Sequence, residues 1–201
     1  CVSTDDDVEK SIGDSKEVID ELPPSVKVVV FVGGEPTLHK GLWPLCEYAK
    51  SKGYKTKIHT NGWLVKRWTD RELAFVDTIN LPIDSVDVEI NDSMRKDGAL
   101  ALSKENIDYL ELMGKDVSIT TVVTKQNLDS LAALRDYLAT KNISSWKIFK
   151  FYPDTGNASR HRMEHEITDE EFDSATDKIE LHNATTYKIK EFKNFSTALF
   201  Y

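Results

Sequence analysis

Val28, Val29, Val30, Phe31 and Val32 run directly into Gly33, Gly34, Glu35 and Pro36, after which Thr37, Leu38 and His39 lead into a helical pattern. An apolar run of this kind reads as a strand buried on both faces, so the two glycines and the carboxylate fall in the turn at its carboxyl end. The chemistry open to such a turn is recognition of a small polar ligand. Gly33 and Gly34 allow close approach to the main chain, Glu35 offers an acceptor to an ammonium group, and Pro36 fixes the direction in which the chain leaves. A purely geometric turn between a strand and a helix would use the same residues.

Stepping along the chain, the spacing predicts a short helix over 16–22 ended by Pro23 and Pro24, a strand over 27–32, and a helix over 40–52 with Leu42, Leu45, Cys46 and Ala49 on one stripe, stopped at Gly53. A second strand over 55–60 reads Lys55, Thr56, Lys57, Ile58, His59, Thr60 and ends at Asn61 and Gly62. Residues 63–75 are of mixed character. A third strand is expected over 77–83, a helix over 103–113 capped by Ser103 with Ile107, Leu110 and Leu112 turned inward, and a strand over 117–123. A helix over 128–140 places Leu131, Leu134 and Leu138 inward and is followed by a strand over 146–152. Thr168 with Glu171 has the spacing of a capping box, and strand-like pieces follow at 187–192 and 196–201.

Strand and helix alternating in this way mark a parallel sheet with helical crossovers, doubly wound or closed into part of a barrel. Either arrangement gathers ligands at the carboxyl ends of the strands, so Glu35, Asn61, Asp84, Thr124 and Tyr152 are expected on one rim. Arg95 follows the third strand and offers a fork-shaped cation suited to a carboxylate, or a solvated surface charge. His59 is expected to be packed or hydrogen-bonded, Cys46 to belong to the core, and Arg160, His161, Arg162 and His165 to meet an anion or stay solvated.

The 201 residues, 40% hydrophobic and 30% charged, suit one α/β domain. No apolar run approaches the roughly 20 residues of a membrane span, and the acidic start (Asp5, Asp6, Asp7) lacks the features of a signal peptide, so an intracellular, cytoplasmic setting is expected. A net charge of −8, from 26 basic and 34 acidic residues, argues against a broad nucleic-acid surface. Two distant cysteines make neither a disulfide framework nor a structural zinc site.

The pairing of Gly33-Gly34-Glu35-Pro36-Thr37-Leu38-His39 with His59-Thr60-Asn61-Gly62 resembles the radical S-adenosylmethionine (radical SAM) superfamily. The resemblance implies an open partial (βα)6 barrel of parallel strands, a 4Fe-4S cluster on a CxxxCxxC loop, and S-adenosylmethionine cleaved reductively to a 5′-deoxyadenosyl radical that abstracts hydrogen from a small-molecule or nucleotide substrate. It further implies that Gly33, Gly34, Glu35 and Pro36 hold the methionyl amino group, that Asn61 reaches the ribose or carboxylate, and that Arg95 pairs with the carboxylate. An electron donor such as flavodoxin or ferredoxin is implied as a partner. Cys1 stands where the last cysteine of the cluster loop belongs, so the single core domain of residues 1–201 is expected to lack its first strand, most of that loop and part of its C-terminus. One thiolate alone cannot hold the cluster.

Ser145-Trp146-Lys147-Ile148-Phe149-Lys150, Thr120-Thr121-Val122-Val123 with Asn127, and Thr168-Asp169-Glu170-Glu171-Phe172-Asp173 resemble viperin-like nucleotide dehydratases, which marks Thr120 and Lys147 as substrate contacts. Two basic positions of that subfamily are Ser118 and Ser145 here, which weakens any triphosphate site. A binding module without a cluster, on the same barrel, and a phosphate-binding α/β enzyme with a coincidental turn are the other readings, the latter without a Gly-rich phosphate-loop fingerprint.

Overall fold

Valine and isoleucine runs at regular intervals give strands, and the amphipathic stretches between them give the helices that cover one sheet face. The computed structural model describes residues 12–153, 156–190 and 198–200. In chain order these form α1 (Ile12–Asp20), β1 (Val28–Phe31), α2 (Leu42–Ser51), β2 (Lys55–His59), α3 (Asp70–Ala74), β3 (Thr78–Pro82), α4 (Val88–Met94) and α5 (Ala99–Leu112). Then follow β4 (Asp116–Val123), α6 (Leu131–Leu138), β5 (Ser145–Lys150), α7 (Arg162–His165), α8 (Asp169–Thr176), β6 (Thr185–Ile189) and β7 (Ala198–Phe200).

All strand pairs are parallel, in the order β6-β5-β4-β3-β2-β1-β7, so β1 to β6 lie side by side in sequence order and β7 joins the outer edge of β1. Among the described residues no pairing closes β6 onto β7, and the sheet is an open half-barrel of the expected (βα) type.

Period-two alternation sorts the strand residues onto two faces. Val29, Phe31, Ile58, Ile79, Leu81, Ile119, Trp146 and Ile148 are buried on the convex face against Leu45 and Ala49 of α2, Ile107 and Leu110 of α5, and Leu134 and Leu138 of α6. The concave face carries the intervening residues. Register sets them in rows: Lys57, Thr78 and Asp116 lowest; His59, Asn80, Ser118 and Ser145 next; then Pro82, Thr120, Lys147 and Tyr187.

Three local expectations are corrected. Ser103 does not cap a helix. Asp92 accepts from the N–H groups of Gly98 (2.7 Å) and Leu100 (2.9 Å), so α5 starts a turn earlier, and the Ser103 hydroxyl, inside the helix, donates to the Pro82 carbonyl at 3.0 Å. Leu112 points outward, 87% exposed, because it lies two residues past Leu110 and roughly 200° around the helix from it. Arg95, expected in a loop, is instead the C-terminal cap of α4, which Asp87 opens by accepting from the N–H groups of Glu89 and Ile90. The Thr168 to Glu171 capping box forms as its spacing requires, with its two bonds at 3.1 and 2.7 Å.

Candidate functional site at the carboxyl ends of the strands

Each strand of a parallel sheet ends in orphan backbone groups, and here the rim residues satisfy them. Glu35 Oε1 accepts from the Thr37 N–H (3.2 Å) and from the hydroxyls of Thr37 (2.6 Å) and Thr60 (2.7 Å), while Oε2 accepts from the Asn61 N–H at 2.6 Å. The carboxylate therefore ties the end of β1 to the end of β2. Pro36 is buried at the head of the short turn Pro36–Leu38 that Glu35 caps. Gly33, at φ 151°, and Gly34 are exposed, and a Cβ built on either meets no atom within 4 Å. Open space thus stands beside the backbone that a ligand would approach.

Asn61 is exposed. Its Oδ1 accepts from the Trp63 N–H at 3.0 Å, which holds the Asn61-Gly62 turn, and the carbonyl of Gly62 is held in turn by buried Asn106 at 2.9 Å. Gly62 is required here, since its φ is +86° and an added Cβ would lie 2.6 Å from Asn106 Nδ2.

Beyond β3, Asp84 is 1% exposed and grips Arg95 with both oxygens, Nε to Oδ2 at 2.5 Å and Nη2 to Oδ1 at 3.1 Å, and Oδ1 also accepts from the Val122 N–H at 2.8 Å. Burial works against the guanidinium charge, but the adjoining Asp84 carboxylate outweighs it and holds the Arg95 pKa above its ordinary value. Two of the five N–H groups are used by this pair, and three remain for a second carboxylate. Buried Asn127 accepts from the Thr124 N–H (2.8 Å) and donates to the carbonyls of Asp84 (2.8 Å) and Val122 (2.9 Å), so the ends of β3 and β4 are joined as those of β1 and β2 are.

Below this rim the concave face is unusually cationic for a buried surface. Lys57 is buried and makes no hydrogen bond or ion pair with a described residue; burial and the nearby Lys147 ammonium bring its pKa down to about 8. His59 is packed, as expected, yet its buried Nε2 has no hydrogen-bond partner, and burial with the charges of Lys57 and Lys147 holds its pKa down to about 3. Burial also lowers the pKa of Lys147, which lies beside Thr120 in the register. Ser118 and Thr120 both donate to Asn80 Oδ1, at 2.9 and 3.0 Å.

The structure brings Gly33, Gly34, Glu35, Pro36 and Asn61 together and sets Arg95 beside Asp84 on the same rim; Lys57, the Asp84 to Arg95 pair and the Asn127 tie carry no signal of their own in the sequence. Cys1 lies outside the described residues. Cys46 is fully buried on α2, in the core as expected, and burial pushes its thiol pKa far above the ordinary range; it belongs to no cluster of potential metal-ligating side chains among the described residues. Among the described residues, His161, Glu164 and His165 bring one ligand atom each within 4.8 Å of one another on the surface turn around α7, where Glu164 takes up His161 (3.1 Å) and Glu166 takes up Arg162 (3.0 Å). Two shallow clefts of about 500 and 540 Å³ contain no rim residue; they lie around Arg135, Asp177 and Lys178, and around Asp173 and Ile179. No helix among the described residues is long and apolar enough to cross a membrane.

The sequence profile of the Radical SAM superfamily matches residues 3–138. The mycofactocin maturase MftC of Mycobacterium ulcerans (strain Agy99) is 34% identical over 155 residues, which cover 72% of this chain and 42% of that protein. An S-adenosylmethionine-dependent nucleotide dehydratase of Lacinutrix mariniflava is 35% identical over 152 residues, 72% of this chain and 31% of that protein. The chain thus spans less than half the length of these curated relatives. The crystal structure of Streptococcus suis SuiB bound to S-adenosylmethionine superposes with a TM-score of 0.65 at 20% identity, over 91% of this chain and 42% of that one, a likeness of fold.

Proposed function

Because the chain belongs to the radical SAM superfamily, we propose that its rim seats S-adenosylmethionine and that the whole protein is an enzyme performing hydrogen-atom abstraction on an organic substrate held over the concave face. The observation that carries this reading is the stapled, open turn: two glycines with free space beside them, fixed by Glu35 to the end of the neighbouring strand. A reduced 4Fe-4S cluster bound beside S-adenosylmethionine would supply the single electron that cleaves a sulfonium carbon–sulfur bond into methionine and a carbon radical. The described residues offer no thiolate set for that cluster. Cys1 would be one ligand by its match to the motif.

The chain's own residues would then divide the work of binding. Carbonyls of Gly33 and Gly34 accept from the amino group of the methionyl moiety. Glu35, with both oxygens already engaged, positions the turn and keeps one lone pair of Oε2 for the same ammonium. The three spare N–H groups of Arg95 receive the carboxylate, and Asn61 reaches it or the ribose through its amide. Thr120 and Lys147, paired in register on β4 and β5, contact the substrate. Relatives named as a maturase and as a nucleotide dehydratase share the superfamily and differ in what they act on, so the concave face decides the substrate. A one-electron donor of the flavodoxin or ferredoxin class would reduce the cluster.

The test has two readouts. Isothermal titration of the chain with S-adenosylmethionine should give saturable binding that E35Q weakens at least tenfold. Anaerobic reconstitution of the full-length protein should yield 5′-deoxyadenosine on reduction. Absence of both would overturn the reading.

A further inference from the structure

Resting on the assignment of the concave face to the substrate, we infer that Lys57 and His59, faced by Lys147 from across the sheet, form an anion seat on the floor of the half-barrel, receiving a carboxylate or phosphate group of the substrate. Lys57 and His59 alternate with Ile58 on β2, so both project from the face opposite the hydrophobic core. Lys147, on β5, lies close enough to act electrostatically on each of them. The only carboxylate in the three register rows is Asp116. It is exposed at the first position of β4 and accepts from the Thr78 hydroxyl at 2.9 Å; its charge acts on Lys57 and partly offsets burial and Lys147, but Lys57 makes no ion pair with it.

A buried ammonium without a hydrogen-bonded counter-charge is costly, and sequences avoid it unless the charge is used. Packing supplies no reason for it here, since methionine or leucine would fill the same position without the charge. The surroundings point one way. His59 presents a buried Nε2 that no protein group meets, and its depressed pKa keeps the ring neutral at physiological pH, able to donate from one nitrogen. The lowered pKa of Lys57, whose ammonium has no hydrogen-bonded partner among the described residues, is what a buried cation awaiting an anion would show. Asn80, whose Oδ1 takes the hydroxyl protons of Ser118 and Thr120, stands in the register row between Lys57 and Lys147, and β3 and β4 separate the strands that carry the two lysines.

The seat is tested by titrating the chain with inorganic phosphate and, separately, with acetate, following the Lys57 side-chain methylene and His59 ring resonances by NMR. Saturable shifts of both residues are expected, with phosphate alone marking a phosphate ester and acetate alone a carboxylate. K57M should weaken that binding at least tenfold, melt at a higher temperature than the parent chain and bind S-adenosylmethionine unchanged, while K55M, on the same strand but exposed, should behave as the parent. No saturable shift with either anion, or undiminished binding by K57M, overturns the seat, and a lower melting temperature for K57M overturns it by making Lys57 a structural residue. If the parent chain binds anion while S-adenosylmethionine binding and 5′-deoxyadenosine formation are both absent, the cofactor reading fails; if it binds S-adenosylmethionine but no anion, the seat alone fails.

Discussion

At the scale of single residues, two carboxylates carry opposite kinds of work. Glu35 accepts four hydrogen bonds and faces a mouth, so its loss is felt as both geometry and binding. E35Q keeps the shape but turns one acceptor into a donor pointed at other donors, which costs about 2 to 3 kcal/mol of stability, read by urea denaturation. Asp84 is buried against Arg95, and D84N leaves a half-buried guanidinium uncompensated, so a loss of about 3 to 5 kcal/mol is expected in the same assay. A loss under about 1 kcal/mol would mean that water neutralises Arg95. The residues of the turn were legible because Gly-Gly-Glu-Pro after an apolar run marks a strand-to-helix turn and is paired with His59-Thr60-Asn61-Gly62 at the end of the next strand. Lys57 was not, because a lysine alternating with apolar neighbours reads as the solvated side of a strand, and only curvature of the sheet turns that side into an interior.

At the scale of elements, the site depends on ties between successive strand ends. Asn127 is the clearest: it is fully buried, holds the turn after β4 through the Thr124 N–H and the Val122 carbonyl, and ties it to the end of β3 through the Asp84 carbonyl. N127A strands one donor and two carbonyls, which should cost about 2 to 4 kcal/mol and raise amide exchange at Val122 and Thr124 before it does so in the middle of β4. Uniform exchange along β4 would show that the tie is redundant. The strands were legible from their β-branched runs, and helices α2 and α6 from stripes at 3.6 spacing. Helix α4 escaped because Val88-Glu89-Ile90-Asn91-Asp92-Ser93-Met94 carries no apolar stripe; its one fully buried residue, Asn91, accepts from the Asp84 N–H at 2.9 Å. The α5 boundary was misread for a related reason: its cap is supplied by Asp92, six and eight residues before the N–H groups it satisfies.

At the scale of the whole molecule, the cationic floor sets the pH dependence of folding. Lys57 titrates near 8 in the fold against 10.5 ordinarily, so between these values the unfolded chain binds more protons and stability rises with pH; below 8 the full cost of its charge, on the order of 3 kcal/mol, is present. His59, near 3 in the fold against 6.5 ordinarily, acts in the same sense at lower pH: stability falls as pH drops below 6.5, because the unfolded chain takes up a proton that the fold refuses. Buried Cys46 opposes the alkaline gain, since above its ordinary 9.0 the unfolded thiol ionises and the buried one does not. The parent chain should therefore gain melting temperature from about pH 5 to 7 and again from about 8 to 9, then flatten. K57M should melt higher at neutral pH and lack the second rise, with Lys147 and Asp116 unchanged around it. Thermal melts across that range compare the two chains directly. A difference between them that does not vary with pH would place the Lys57 ammonium in water, and the floor of the half-barrel would then not be a desolvated cationic surface.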